Sequence, residues 1–578
     1  MDQGRQESMR TCAILIVLVC SLLSPMASAF ATPSSAPLEN GIEETRNGNI
    51  VDSYSPIIQA ALAHKSDLSI YSETQLDSAQ QWVVIAAQYA GEPARDLPGA
   101  WIVDVDSSEA ANLFSLQIEN GVIEAAYPLV ENDMQPRWVP NDPKFSDQWH
   151  LQNTGQTGGT SGEDVNITGA WNSYKGSGIV IGIVDDGLDW THPDLDNYYE
   201  STLDYDYCGN DGDPSPSSNN AHGTASAGVA AGVGDNNIGV SGSAPRAGLA
   251  GLQLISCSTT DVREAGALGH ERQNIDIYSN SWGPSDNGET LEAPGPLMLS
   301  AMENDALLGR NGLGNIITWA AGNGLEDDDN ANYDGYANLR YTIAVTAVDH
   351  KGRQSYYAEP GANILVAAPS NGDGESITTT DIEGSGGYTN NDYTDSFGGT
   401  SSATPLVSGV IALMLEANVN LTWRDVQHII VLTSRQNDAA DSSWDVNGAG
   451  HEVSHKYGYG VIDAGAAVSM AESWTSVEEE EFFSSGTVTV DTDIPDNSPN
   501  YISSSTEVAD AILVENVDII VDIPHDFRGD LEIILTSPSG TESVLSEKHD
   551  DDGSDYNNWR FSTVHNWGED SRGNWTLT

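Results

Sequence analysis

The chain has 578 residues and carries 86 Asp plus Glu against 22 Lys plus Arg, a formal net charge of −64. That charge excludes a nucleic-acid phosphate backbone as a partner and disfavours an anionic membrane surface, while leaving metal ions and basic peptides open. A 39% hydrophobic share with 14 Trp excludes a disordered polyelectrolyte, and the length allows about three or four domains. The acids are spread along the chain, a composition suited to solubility in a saline medium.

Arg5 and Arg10 precede an apolar run at 12–23, and Ala27-Ser28-Ala29 supplies the small residues of a signal-peptidase site. Residues 1–29 therefore read as a secretory signal peptide. The run is too short for a transmembrane anchor, and no stable membrane insertion is expected. Its removal leaves Cys208 and Cys257. They could pair in an oxidising compartment, but spacing alone leaves the pairing open.

Residues 30–80 are polar and weakly patterned. Strands are expected at 82–85 and 101–103 and a helix at 109–118, a small α+β unit. From about Val139, apolar strands at 179–184, 315–321, 341–348 and 363–368 alternate with Gly-rich turns and helices. An apolar helix is expected at 403–415. This alternation predicts an α/β domain with a parallel sheet covered on both faces. The run Val477-Glu478-Glu479-Glu480-Glu481 marks a linker. Beyond it, short alternating segments such as 488–490 and 531–535 predict an all-β module.

Four segments carry chemistry. Ile183-Val184-Asp185-Asp186-Gly187 ends a buried strand in two carboxylates, and His222-Gly223-Thr224 opens a small-residue helix. Trp319-Ala320-Ala321-Gly322-Asn323-Gly324 ends another strand, and Gly399-Thr400-Ser401-Ser402 delivers a serine to an apolar helix. A Ser hydroxyl is a poor nucleophile at neutral pH. An imidazole must take its proton, and a buried carboxylate must orient that imidazole. The helix start behind Ser401 and the Asn323 amide favour a developing oxyanion; losing such a side-chain donor costs about 3–4 kcal/mol. Each segment alone has a bland meaning, since Asp-Gly and Gly-Asn-Gly are common turns and a lone His is usually structural. Together, in the order Asp, His, Ser, they point to nucleophilic catalysis. That order on a parallel sheet resembles subtilisin.

Further motifs narrow this. Asp142-Pro143-Lys144-Phe145 with Gln148-Trp149, paired Asp185-Asp186, Ser279-Asn280-Ser281-Trp282-Gly283-Pro284 and Tyr333-Asp334-Gly335-Tyr336 lie within 140–470. The tail holds Arg528-Gly529-Asp530-Leu531, Leu535-Thr536-Ser537-Pro538-Ser539-Gly540-Thr541, Trp567-Gly568-Glu569 and Gly573-Asn574-Trp575-Thr576-Leu577. The first set resembles the subtilase catalytic domain of kexin/furin-like proprotein convertases, and the second resembles their P domain, a jelly-roll sandwich.

The resemblance implies a subtilisin-like peptidase domain at 138–475, a P domain at 478–578 and an inhibitory α+β pro-domain within 30–137. It implies a secreted, calcium-dependent serine endopeptidase, made as a zymogen and cutting after Arg or Lys. Asp185 would orient His222, His222 would act as general base and acid, Ser401 as nucleophile and Asn323 as oxyanion donor. Carboxylates crowd the catalytic motifs, which by itself suggests a cationic substrate. The resemblance assigns Asp286 and Asp334 to the S1 pocket, Asp186 to S2, and Glu264 and Glu292 to S4; a carboxylate rewards Arg by bidentate pairing. Asn219 replaces a second S2 acid and Ser285 an S1-region Glu, so relaxed stringency at S2 is expected. Three Ca²⁺ sites are implied. The first comprises Asp142, Asp194, the Asn236 side chain and the carbonyls of Val233, Ile238 and Val240. The second comprises Asp286, Asp329 and Glu359, and the third Asp206, Asp211 and Asp213. Cleavage of the pro-region is expected after Arg137, and the enzyme is expected to act as a monomer inhibited by its own pro-domain. The rival readings are a broad-specificity nutritional subtilase and a catalytically silent, calcium-stabilised surface or adhesion protein.

Overall fold

The computed structural model describes residues 50–68, 71, 73–94, 97–105, 110–130, 138–495 and 501–578. The expected signal peptide and Arg137 lie outside the described residues. The chain divides into two compact units, one ending at Met134 and one beginning at Gln135.

The first unit holds α1 (Pro56–Ser66), α2 (Glu73–Ser78), β1 (Gln81–Ile85), β2 (Glu92–Pro93), β3 (Ala100–Asp104), α3 (Ala110–Glu119) and β4 (Ala125–Pro128). Its antiparallel sheet has the order β2-β3-β1-β4. The alternation of β1 decides the packing: Trp82 and Val84 meet Phe114 of α3, whereas Val83 and Ile85 meet Leu62 of α1. The two strands and α3 match expectation. Two helices at 56–78 do not, because their weakly amphipathic sequences hid them in a polar stretch.

The second unit opens on a seven-stranded parallel sheet, ordered β11-β10-β9-β8-β5-β7-β6. Its strands are β5 (Val180–Asp185), β6 (Tyr205–Asp206), β7 (Gly248–Gln253), β8 (Ile277–Asn280), β9 (Ile316–Ala320), β10 (Thr342–Val348) and β11 (Ile364–Pro369). Helix α4 (His222–Ala231) precedes β7, α5 (Asp261–Leu268) precedes β8, and α6 (Pro296–Gly312) precedes β9. The hairpin β12 (Ile377–Thr380) and β13 (Tyr393–Phe397) leads into α7 (Thr400–Ala417), followed by α8 (Trp423–Thr433), the short pair β14 (Trp444–Val446) and β15 (Glu452–Ser454), and α9 (Ala464–Ala471). Ile181 and Ile183 of β5 pack into one core with α4, α7, α8 and α9. Val184 packs on the other face with Leu268 of α5 and Met298 and Met302 of α6. Helices thus cover both faces. Among the described residues α7 alone is long and apolar enough to cross a membrane, and it is buried in the core.

The strand order reverses at β5, since the chain visits β6 and β7 on one side and then β8 onward on the other. Crevices at the carboxyl ends of strands form at such a switch point, and β5 ends there in Asp185.

Beyond α9, residues 475–495 carry no regular structure. The strand expected at 488–490 is absent. Val488 and Val490 are exposed and have no partner strand, so period-2 alternation without a burying surface leaves them as coil. The C-terminal part is all β. Strands β16 (Ser504–Val508), β18 (Ile533–Thr536), β19 (Glu542–Ser546) and β21 (Gly573–Leu577) form one antiparallel sheet, and β17 (Val517–Ile523) with β20 (Tyr556–Thr563) forms a second. Leu531, Ile533, Leu545, Phe561 and Trp575 make up its core.

Candidate active site

Asp185 is buried, and the His222 Nδ1 lies 2.9 Å from each of its carboxylate oxygens. A carboxylate only accepts, so Nδ1 carries the hydrogen and Nε2 keeps its lone pair. Burial pulls the His222 pKa down, but the Asp185 charge, its hydrogen bond and the Asp186 charge outweigh that and leave it raised. The Asp186 N–H donates to Asp185 Oδ1 at 2.7 Å, and the Phe397 ring packs edge-on to the imidazole at 5.4 Å. His222 can reach Asp185 because α4 is built from small residues. A Cβ on Gly223 would stand 2.1 Å from Gly187 O and 2.9 Å from Asp185 Cβ.

Ser401 is the second residue of α7, entered through Gly399 at φ 75°. That left-handed conformation is what a glycine allows at no cost. The Ser401 hydroxyl donates to Ser281 O at 3.3 Å, and the Ser281 hydroxyl donates to Ser401 O at 3.1 Å. Asn323 is clamped on both ends. Its Oδ1 accepts the Thr400 N–H (2.8 Å) and hydroxyl (3.0 Å), while its Nδ2 donates to Asp286 Oδ2 at 3.1 Å.

Beside this lies a nest of acids. Asp286 accepts both the N–H and the amide of Asn323. Asp329 accepts the N–H groups of Gly288 and Asn330, and Glu359 that of Gly324. Asp334 accepts those of Tyr336 and Ala337. Burial drives all four up, and repulsion from neighbouring acids adds to it at three of them: Asp329 is pushed up to about 6, Asp334 to about 8, and Glu359 well above the carboxylate range. With no counter-ion at hand, burial favours the protonated form of these acids, and a cation bound beside them would return them to the ionised form.

The Subtilase family profile matches residues 176–460, and the Proprotein convertase P-domain profile matches 514–578. The chain is 41% identical over 457 residues to neuroendocrine convertase 2 of Homo sapiens, covering 76% of this chain and 70% of that protein. It is 39% identical over 481 residues to a PC3-like endoprotease (variant B) of Hydra vulgaris, covering 80% and 66%. The crystal structure of a serine protease of Aeromonas sobria superposes with a TM-score of 0.70 at 26% identity, covering 77% of this chain and 91% of that one. The chain belongs to the subtilase family. Its C-terminal part is a convertase-type P-domain region, and the chain spans about 59–70% of the length of the curated relatives it matches.

The P-domain region grips the subtilase domain at the acid nest, a feature sequence reasoning missed. Tyr333 sits inside the P-domain core. Its hydroxyl meets Ser546 Oγ at 2.9 Å and His549 Nδ1 at 3.1 Å, and its ring stacks on His549 at 4.6 Å. Asn332 exchanges two hydrogen bonds with the Ser562 backbone, at 3.1 and 2.8 Å. The Asn338 amide donates to Arg560 O at 2.8 Å, and Arg560 donates to Gly335 O at 3.0 Å. The segment carrying Asp329 and Asp334 is thus held from outside its own domain. A second contact joins Arg424 and His428 of α8 to Glu515.

The other predicted residues fall as follows. Both Asp186 oxygens accept backbone N–H groups of α4, from His222 at 3.3 Å and Gly223 at 2.8 Å; burial and repulsion from Asp185 push it up to about 6. Buried Glu264 accepts the hydroxyls of Thr259 and, at 3.3 Å, Tyr336. Glu292 is exposed and pairs through its carbonyl with Gly335 N. Tyr336, whose hydroxyl is raised first by burial and then by Glu264, Glu292 and Asp334, links the outer acids to the inner ones.

For the first expected calcium site, Asp142 and Asp194 are both buried, and Asn236 bridges them: its N–H reaches Asp142 at 3.1 Å and its amide reaches Asp194 at 2.7 Å. Asp194 also accepts the Val240 N–H, in the loop that carries the Val233, Ile238 and Val240 carbonyls. For the third, Asp206 and Asp211 pair through their backbones, but the Asp213 carboxylate is turned to Ser215 and Trp190. Among the described residues no three His, Cys, Asp or Glu side chains already converge to hold a metal ion. Cys208 and Cys257 form a disulfide, with Cα atoms 5.9 Å apart.

Proposed function

We propose that this chain is a secreted serine endopeptidase that cleaves after Arg or Lys, carries structural calcium, and is made as a zymogen. Its segments follow as a signal peptide at 1–29, an inhibitory pro-region at 30–137 cut after Arg137, a peptidase domain at 138–475 and a jelly-roll P domain at 478–578. The single observation carrying this reading is the nest of Asp286, Asp329, Asp334 and Glu359 beside Asn323, buried carboxyls that a bound cation would return to the ionised form.

In the mechanism, Ser401 Oγ leaves Ser281 O and attacks the scissile carbonyl carbon as His222 Nε2 takes its proton. The tetrahedral oxyanion is met by the Ser401 N–H and by Asn323. An amide NH₂ has two hydrogens, so the one engaged by Asp286 leaves the other for the oxyanion. Collapse breaks the C–N bond, and the departing amine takes the proton from His222. Water then repeats the sequence on the acyl-enzyme, returning Ser401 its hydrogen. Asp185 stays ionised and stabilises the imidazolium.

In this reading Asp286 and Asp334 receive a guanidinium or ammonium at S1, Asp186 acts at S2, and Glu264 and Glu292 at S4. The residues fit calcium at the Asp142–Asp194–Asn236 site and at the Asp286–Asp329–Glu359 site, both rich in buried hard oxygen donors. Bound Ca²⁺ supplies there the positive charge that the carboxylates lack. A third site at Asp206, Asp211 and Asp213 requires the Asp213 side chain to swing back.

The test is a cleavage profile on peptides with Arg, Lys or Phe before the scissile bond, with and without chelator, alongside fluorophosphonate labelling of Ser401. Arg and Lys peptides are expected to dominate, with activity and melting temperature both falling on chelation. Preference for Phe would remove the basic S1 reading, and no adduct on Ser401 of the mature protein would remove the enzyme reading.

A further inference from the structure

Between β12 and β13 the chain makes a long loop over residues 381–392 that neither the triad nor the acid nest uses. Asp381, fully buried, anchors it. Its carboxylate accepts the N–H groups of Ile382 at 2.9 Å, Tyr388 at 3.0 Å and Thr389 at 2.7 Å. The wrap is close: a Cβ on Gly387 would stand 1.7 Å from Asp381 Oδ1. From the opposite side the Asn219 N–H donates to Gly386 O at 2.7 Å, tying the loop to the turn that leads into His222.

These bonds hold the Tyr388 backbone firmly while its side chain stays half exposed, at 50%. Its ring lies 6.2 Å from Phe397, whose ring lies 5.4 Å from His222. Its hydroxyl is raised first by burial and then by the charges of Asp185, Asp186 and Asp381, so the field of the paired carboxylates reaches it. Asp186 is a weakened anchor for a cation, because both its oxygens already accept N–H groups of α4. Asn219 offers no charge. An aromatic face is the other group that binds an ammonium or guanidinium, worth about three- to ten-fold when partly shielded from water.

We infer that Tyr388 is a specificity-determining residue, lining with Asp186 and Asn219 the subsite for the residue just before the basic one cleaved after, and covering the alkyl stem and cation of a Lys or Arg there with its ring. This rests on the proposed function. The measurement is kcat/KM for paired peptides, Arg-Arg against Ala-Arg before the scissile bond, with Tyr388→Ala, Tyr388→Leu and Tyr388→Phe; thermal melts check that each variant folds. Tyr388→Ala and Tyr388→Leu are expected to lower the dibasic preference about five-fold, and Tyr388→Phe to keep it within two-fold. An unchanged preference in Tyr388→Ala overturns the inference, as does an equal loss on both peptides. Arg-over-Phe preference at the cleaved position is read in the same assay on the unmodified enzyme. Its absence there defeats the underlying basic-site reading, separately from Tyr388.

Discussion

The triad residues and the acid nest are linked through Asn323 but are held by different parts of the molecule. Asp185, His222 and Ser401 stand on β5, α4 and α7, all within the subtilase domain, and their partners (Ser226, Ser281, Phe397) belong to it as well. The nest instead depends on the segment from Asp329 to Asn338, whose side chains are gripped by Ser546, His549, Arg560 and Ser562 of the P-domain region. On the proposed function, bond breaking would then be carried by the subtilase domain alone. Selection of a cationic residue would be shared with a second domain, and disturbances of the two should separate in kinetics.

The largest effect is expected on the triad side. Asp185→Asn should lower kcat about 10⁴-fold through the wrong imidazole tautomer, while leaving thermal stability and the affinity for a basic peptide close to the parent. A comparable loss of affinity would merge the two regions. In the parent, His222 must be neutral to accept the serine proton. With its pKa raised, activity should fall on acidification through a midpoint above 6.5, and a midpoint below that value would contradict the Asp185–Asp186 field.

Next comes the grip. Asn332→Ala leaves the Ser562 N–H and C=O unpaired in a buried junction. It should cost about 2–4 kcal/mol and raise KM for Arg peptides more than it lowers kcat. If kcat falls alone, the P-domain region acts on the triad after all.

The smallest effect concerns acid stability. Burial pushes Glu515 up, but Arg424 and His428 outweigh it and hold it at about 2, below its ordinary 4.5. A depressed folded-state pKa gives stability present above 4.5 and lost as pH falls through 2. The pair therefore contributes on the order of 2 kcal/mol at neutral pH. Glu515→Gln should lower the melting temperature at pH 6 and converge with the parent toward pH 2, measured by calorimetry. A difference that persists at pH 2 would mean that Glu515 acts by packing rather than charge.

Much of the site was legible because each catalytic group abuts an apolar strand or a small-residue helix, and these leave local patterns. The strands at 180–185, 316–320 and 342–348 and the helix carrying Ser401 follow directly from such runs. Strand β7, Gly-Leu-Ala-Gly-Leu-Gln, left no such mark, since its small residues exist to admit neighbours rather than to favour extension. The grip on Tyr333 was illegible for another reason. Its partners lie more than 210 residues away, and no periodicity encodes a contact at that range. The reverse error occurred at 488–490, where local alternation had no surface to complete it. The Cys208–Cys257 pairing was open by spacing and needed the approach of β7 to the segment after β6 to decide it.

That disulfide also bears on survival among proteases. It closes a covalent ring from Cys208 to Cys257 that contains His222 and the whole of α4. Arg246, an exposed residue, is the only Arg or Lys inside it. Self-digestion by the specificity proposed above would nick the ring at that one bond; the end at Arg246 would stay joined to β5 through the chain, and the piece beginning at Ala247, which carries Ser401, would stay joined through the disulfide. The histidine stays on the same molecule as its serine after such a cut, so accidental autolysis there yields a nicked enzyme rather than a pair of inert fragments.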